Sequence, residues 1–200
     1  KRLLKAKNLY YLARHHNFGN FHLFLSKPIS GPNLKGLHLR VAPVYTAFFK
    51  ELGATVQQSN LAQIYTYMEN GTVQGYGWPI TGWIPSWTKV TKYRVDPGFY
   101  SANLHTLVNQ KAWDGLTKSQ QKVLTDVGME YEAKSSPTSA AFKARVEKQK
   151  AFTASKGMKT ITFSGADKAK WLNTAKSAAW KQVVERSPKH GPALKKLFTK

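Results

Sequence analysis

The sequence predicts an α/β chain built on a mostly parallel sheet, and three observations predict it. Between residues 37 and 78, short runs of period-two hydrophobicity alternate with runs of helical period. Glycine or proline punctuates nearly every change of period. The composition, 42% hydrophobic and 12% aromatic over 200 residues, is that of a chain with a real core.

The elements follow in order. Residues 9–26 read as extended, with a loop of His, Asn and Gly between Leu9–Ala13 and His22–Ser26. Pro28, Gly31 and Pro32 mark a turn. In Leu37–Val41 the residues Leu37, Leu39 and Val41 share one face of a strand, and His38 and Arg40 the other. Pro43 opens a short helix over Tyr45–Leu52, which Gly53 closes. Ala54–Gln57 is a strand. Asn60 and Gln63 have the spacing of a capping box for a second helix that ends at Gly71. Residues 72–74 lead into Gly75–Trp87, GYGWPITGWIPSW, which holds three of the six tryptophans. Its prolines and glycines exclude a helix and argue against a central strand, so an irregular loop is predicted. Tyr100–Asn109 is extended. Thr117 and Gln120 start a long helix over 118–157, broken at Ser135-Ser-Pro137. Lys159–Phe163 is a late strand. Ala166–Val184 is an amphipathic helix with Trp171, Leu172, Ala175, Ala179 and Val183 inward, and a polar tail with Pro188 and Pro192 ends the chain.

Charge and motifs exclude several function classes. Lys and Arg number 31 against 10 Asp and Glu, a net charge of +21. Such a balance raises nucleic acid or anionic membrane as partners. Only six of the 31 bases are Arg, the residue that reads bases and forks onto phosphates, which weighs against specific nucleic-acid binding. Residues 134–200 carry 16 bases and three acids at single helical spacings, the pattern of a solvated face. No apolar run is long enough to span a membrane. The absence of cysteine excludes disulfides, and a start at Lys1 without a signal peptide fits a processed or trimmed product. His15, His16, His22 and His38 lack the spacing and neighbouring acids of a metal site. No nucleophile elbow, phosphate loop or carboxylate pair is present, so binding is predicted, without enzymatic chemistry and without cofactors.

Two residues stand out for binding. Arg40 sits near the carboxyl end of a strand, the edge at which open α/β sheets hold ligands, and a guanidinium there can fork onto a carboxylate. A surface salt bridge is the plainer alternative. Trp78 reaches the same edge with a flat apolar wall and one N–H donor. Trp83 and Trp87 are expected to fill a core.

Five segments in order resemble the solute-binding proteins of TRAP (tripartite ATP-independent periplasmic) transporters. They are Leu34–Val41 (LKGLHLRV), Phe48–Ala54 (FFKELGA), Ile64–Gly75 (IYTYMENGTVQG), Val90–Tyr93 (VTKY) and Leu107–Leu116 (LVNQKAWDGL). The resemblance implies a periplasmic-binding-protein-like fold of class II, two lobes and a hinge, in a periplasmic protein. It implies that Arg40 clamps the carboxylate of an organic acid that is delivered to membrane permease subunits. Positions that are polar in the family fall at Trp78 and near Phe21 and His22, so a solute with apolar or aromatic bulk is expected. The candidate ligand-binding set is Arg40, Trp78, Phe21, His22, Tyr45 and Asn103. By the same resemblance 9–102 is mostly second lobe, 103–157 a returning strand and hinge-spanning helix of the first, and 158–200 a strand and helix packing back. The family's N-terminal part is expected to be absent, which leaves apolar surface and an oligomer as one outcome. The runner-up is a basic module for nucleic acid or anionic surfaces on the same scaffold.

Overall fold

The computed structural model describes residues 2–199, with Arg2 as backbone alone. The strands are β1 (Leu9–Leu25), β2 (His38–Val41), β3 (Thr55–Gln58), β4 (Gly75–Pro79), β5 (Tyr93–Asp96), β6 (Tyr100–Asn109) and β7 (Lys159–Thr162). The helices are α1 (Arg2–Lys5), α2 (Thr46–Glu51), α3 (Gln63–Glu69), α4 (Gln110–Asp114), α5 (Lys118–Lys134), α6 (Ala140–Ser155), α7 (Gly165–Arg186) and α8 (Gly191–Phe198). The chain divides into two units. Unit 1 holds the residues up to Gly19, Ile80–Gly82 and Ser101–Ala151, and unit 2 holds Asn20–Pro79, Trp83–Tyr100 and the chain from Phe152.

In unit 2 the strands run in the order β3-β2-β4-β1-β5-β7. β2 is parallel to β3 and β4, and β5 is parallel to β7, while β1 lies antiparallel between β4 and β5. The α/β class expected from the sequence therefore holds, with one reversed strand at the centre. One correction concerns GYGWP, which is not a loop: it is β4, flanked on both sides. The glycines that argued against a strand are what admit it. A Cβ at Gly75 would meet the Phe24 carbonyl oxygen at 2.5 Å, and one at Gly77 would meet the Tyr45 ring at 2.7 Å. Pro79 takes the last position of the strand.

Strand alternation sends the side chains of unit 2 into two cores. Leu39 and Val41 of β2 join Leu23, Leu25 and Val95 on one face, under Phe48 and Phe49 of α2 and Trp171 of α7. The Trp171 ring packs on Phe48, Phe99 and Phe163 and donates Nε1–H to the Pro97 carbonyl at 2.9 Å, so the buried indole has its one polar group satisfied. On the other face Phe24, Tyr76, Trp83 and Trp87 pack against Ile64 and Met68 of α3. Trp83 and Trp87 thus fill a core, as expected. The face that α7 buries is Trp171, Ala175 and Ala178, whereas Leu172 and Val183 are exposed. The expected capping box of α3 is half made: Asn60 accepts from the Gln63 amide, but the Gln63 side chain turns to Tyr67 Oη. The supposed polar tail contains α8.

In unit 1 the predicted loop inside residues 9–26 is instead continuous strand, and β6 pairs with β1. Gly19 takes φ +78, where a Cβ would lie 2.6 Å from Ile80, so only glycine allows the strand to pass. Tyr10 stacks on Trp113 at 4.0 Å, and Gly128 of α5 lets β1 approach at Ala13. The long helix breaks at Ser135–Ser139 into α5 and α6, and Thr117 and Gln120 complete the expected capping box. α5 buries no residue, and Val123, Leu124, Val127 and Met129 along it are exposed.

Candidate functional site

Arg40 is placed by β2 with its side chain on the face opposite Leu39 and Val41, beside Tyr76 in the parallel register. The residue is only 5% exposed. Its Nε donates to the Ser59 carbonyl at 3.1 Å, and Nη2 donates to the same oxygen. Ser59 follows β3 and precedes α3, so the loop between them reaches the guanidinium. No Asp or Glu forms an ion pair with Arg40 among the described residues. Burial lowers its pKa, and the nearby Tyr45 phenol opposes that shift. Arginine nonetheless remains charged at any physiological pH. The result is a desolvated cation held by a carbonyl and a hydroxyl, without a compensating anion among the described residues.

The other candidates divide between the two faces. Trp78 lies two residues beyond Tyr76 on β4 and so shares the face of Arg40. Its ring meets Trp87 edge-on at 5.0 Å. His22 pairs with Trp78 across the antiparallel ladder and shares that face as well. Its Nδ1 lies 2.8 Å from the Asp96 carboxylate and 2.9 Å from the Val95 carbonyl. Both neighbours are acceptors, so Nδ1 carries a proton, and Nε2 lies beside Gly98. Phe21 and Tyr45 belong to the opposite face, with ring centroids 5.8 Å apart. Tyr45 donates its hydroxyl to the Gly77 carbonyl at 2.9 Å, and burial raises its pKa against the field of Arg40. Asn103 belongs to unit 1, where its Oδ1 accepts from Asn17 at 2.7 Å.

A network that sequence reasoning missed runs beside His22. Arg94 forks onto Asp96 through Nε and Nη2, both at 3.0 Å, and also reaches Thr160. Residues 94 and 96 are one strand period apart, which is the signal that could have found the pair. Burial by itself would raise the Asp96 pKa, but the hydrogen bonds from His22 and Arg94 outweigh it and hold the carboxyl well below the usual carboxylate range. A depressed folded-state pKa gives stability that is full above the unfolded carboxylate range and is lost as pH falls through the folded value. Asp96→Asn is therefore expected to lower stability at pH 7 by about 2 kcal/mol, a figure reduced because the side chain is 28% exposed. It is also expected to flatten the loss of stability below about pH 4. Urea unfolding at pH 7 and in acid, on both proteins, measures this; identical acid slopes would refute it.

The profile of the bacterial extracellular solute-binding proteins, family 7, matches residues 1–187. Solved structures share the fold. A TRAP periplasmic solute-binding protein from Desulfovibrio salexigens with bound orotic acid has 22% identity and a TM-score of 0.81, over 99% of this chain and 65% of that one. One from Sulfitobacter with bound β-D-galacturonate has 18% identity and a TM-score of 0.79, over 97% and 64%. An extracytoplasmic solute receptor from Bordetella pertussis binding pyroglutamic acid has 15% identity and a TM-score of 0.77, over 100% and 65%. The chain thus spans about 65% of the length of these structures.

Proposed function

The chain belongs to the bacterial extracellular solute-binding proteins, family 7, and from that premise we propose that it captures an organic acid for a TRAP-type transporter. The observation that carries the reading is Arg40: a buried guanidinium without an acidic partner among the described residues. A carboxylate supplies the missing charge and can take two parallel N–H donors. The solutes named for the related structures, orotic acid, galacturonate and pyroglutamic acid, all carry a carboxyl group. In this reading Trp78 covers the apolar part of the solute, and His22 lies on the same face with Nε2 as its remaining donor or acceptor. Phe21 and Tyr45, on the opposite face, and Asn103 in unit 1 remain candidates and are not part of the carboxylate contact at Arg40.

The working cycle is capture outside the cell membrane, in the periplasm, followed by handover to membrane permease subunits. Capture favours one conformation only as far as the solute binds it better than the alternatives, so the ion pair at Arg40 is the main lever. The lobe assignment of 9–102, 103–157 and 158–200 is part of the same proposal. The test is a thermal-shift screen of orotate, pyroglutamate and succinate against the neutral amide of each. Stabilisation by acids and not by amides supports the reading; equal shifts, or none, end it.

A further inference from the structure

We propose that α8 docks the protein onto an anionic lipid bilayer. Leu194, Leu197 and Phe198 recur at helical spacing and make one apolar stripe. All three are exposed, Leu197 at 65% and Phe198 at 73%, so the stripe lacks a protein cover among the described residues. Lys195 borders the stripe and Lys196 stands on the polar side. No Asp or Glu follows Glu185, and Lys189 lies just before the helix.

The helix is held where it can present that stripe. Gly191, its first residue, is buried against the end of α7: a Cβ there would meet Val184 Cα at 2.7 Å and the Val183 carbonyl at 2.9 Å. The rest of α8 projects with every residue from Pro192 to Phe198 exposed.

The chemistry points to a lipid surface as the occupant. A short helix with Leu and Phe on one side and Lys on the other lies in the headgroup region, with its apolar face below and its ammonium groups at the phosphates. At eight residues α8 is too short to cross, and no described helix is long and apolar enough to do so. The 31 basic residues less six Arg leave 25 Lys, a surface of compact hydrated charges suited to headgroups rather than to forked recognition. Each lysine near an anionic leaflet adds attraction, and salt screens it. The same feature gives the net charge of +21 a role that solute capture does not.

The experiment is vesicle flotation of the 200-residue chain with phosphatidylcholine alone and with about one quarter phosphatidylglycerol. Binding is expected to the second and not to the first. Leu197→Ser with Phe198→Ser, and separately Lys195→Glu with Lys196→Glu, are each expected to weaken it about tenfold or more. Both pairs are exposed, so circular dichroism should show the fold intact, and Val123→Ser on α5 should leave binding unchanged. Equal binding to both vesicles overturns the proposal. So does binding that the Leu197 and Phe198 changes leave intact, or duplex DNA that competes with vesicles as well as lipid does, because each marks general electrostatic adhesion. Solute-dependent thermal shifts are read separately, so failure here leaves the carboxylate site standing.

Discussion

Arg40→Ala is expected to erase the stabilisation that organic acids give this protein while leaving the unliganded fold close to its original stability. The two halves of that expectation have one cause. In the free protein the guanidinium is buried and receives two hydrogen bonds' worth of compensation from Ser59, with no carboxylate paired to it among the described residues. A buried charge in that state is close to neutral or unfavourable for folding, so its removal costs little: a change in Tm of no more than a few degrees. With a carboxylate bound, the same group becomes half of a desolvated ion pair. Truncating one partner of such a pair costs about 2–5 kcal/mol, so affinity should fall about thirtyfold or more. Arg40→Lys keeps the charge and loses the fork, and an intermediate loss is expected. Titration of orotate or succinate into the three proteins by calorimetry measures each step. Equal affinity in the wild type and Arg40→Ala would remove Arg40 from the site. A large fall in the Tm of unliganded Arg40→Ala would show that its bonds to Ser59 are structural and that the free cation is not poised for a guest.

Much of the architecture was legible because local signals and burial agree. Leu39 and Val41 alternate with His38 and Arg40 in the sequence, and the structure sends the first pair to a core and Arg40 to the other face. Thr117 and Gln120 announce the start of α5, and both halves of the capping box form. Three failures have physical reasons. GYGWP reads as a loop because strand propensity penalises glycine, but the penalty is outweighed where neighbouring backbone and an aromatic ring leave no room for a Cβ. β1 passes through its His, Asn and Gly stretch as one strand because its two ends pair with different partners, β6 and then β4 and β5. α7 buries Ala178 rather than Ala179 and Val183, since helix period alone does not fix which edge of an apolar stripe meets the sheet. For the site, the face of Arg40 was readable from strand period. The absence of an acid beside it among the described residues was not, because contacts such as that of His22 on β1 with Asp96 on β5 depend on which distant strands become neighbours.

Gly75→Ala tests whether β4 owes its central place to the missing side chain. The added Cβ would sit 2.5 Å from the Phe24 carbonyl oxygen, 2.6 Å from Leu25 Cδ2 and 3.1 Å from Leu39 Cδ2. The two leucines are fully buried, so neither has free volume to swing into. The carbonyl belongs to β1, whose residues Phe24 and Leu25 face Tyr76 and Gly75 in the ladder, and it cannot retreat without parting the two strands. Overpacking of this kind costs about 3 kcal/mol, or a fall of about 10 °C in Tm for a chain of this size. Gly36→Ala separates the steric term from the conformational one. Gly36 has φ +87 and no atom within 4 Å of its Cβ position, so only backbone strain of about 1 kcal/mol is expected there. Thermal unfolding of the two variants decides: a Gly75→Ala loss no larger than that of Gly36→Ala would mean that the sheet yields, and that close approach is not what selects glycine. The consequence reaches the site, since the same strand sets Tyr76 beside Arg40 and carries Trp78 one period further on. A shift of β4 away from β1 would move Trp78 relative to Arg40, so Gly75→Ala should weaken acid binding even though Gly75 has no polar side chain to offer a solute.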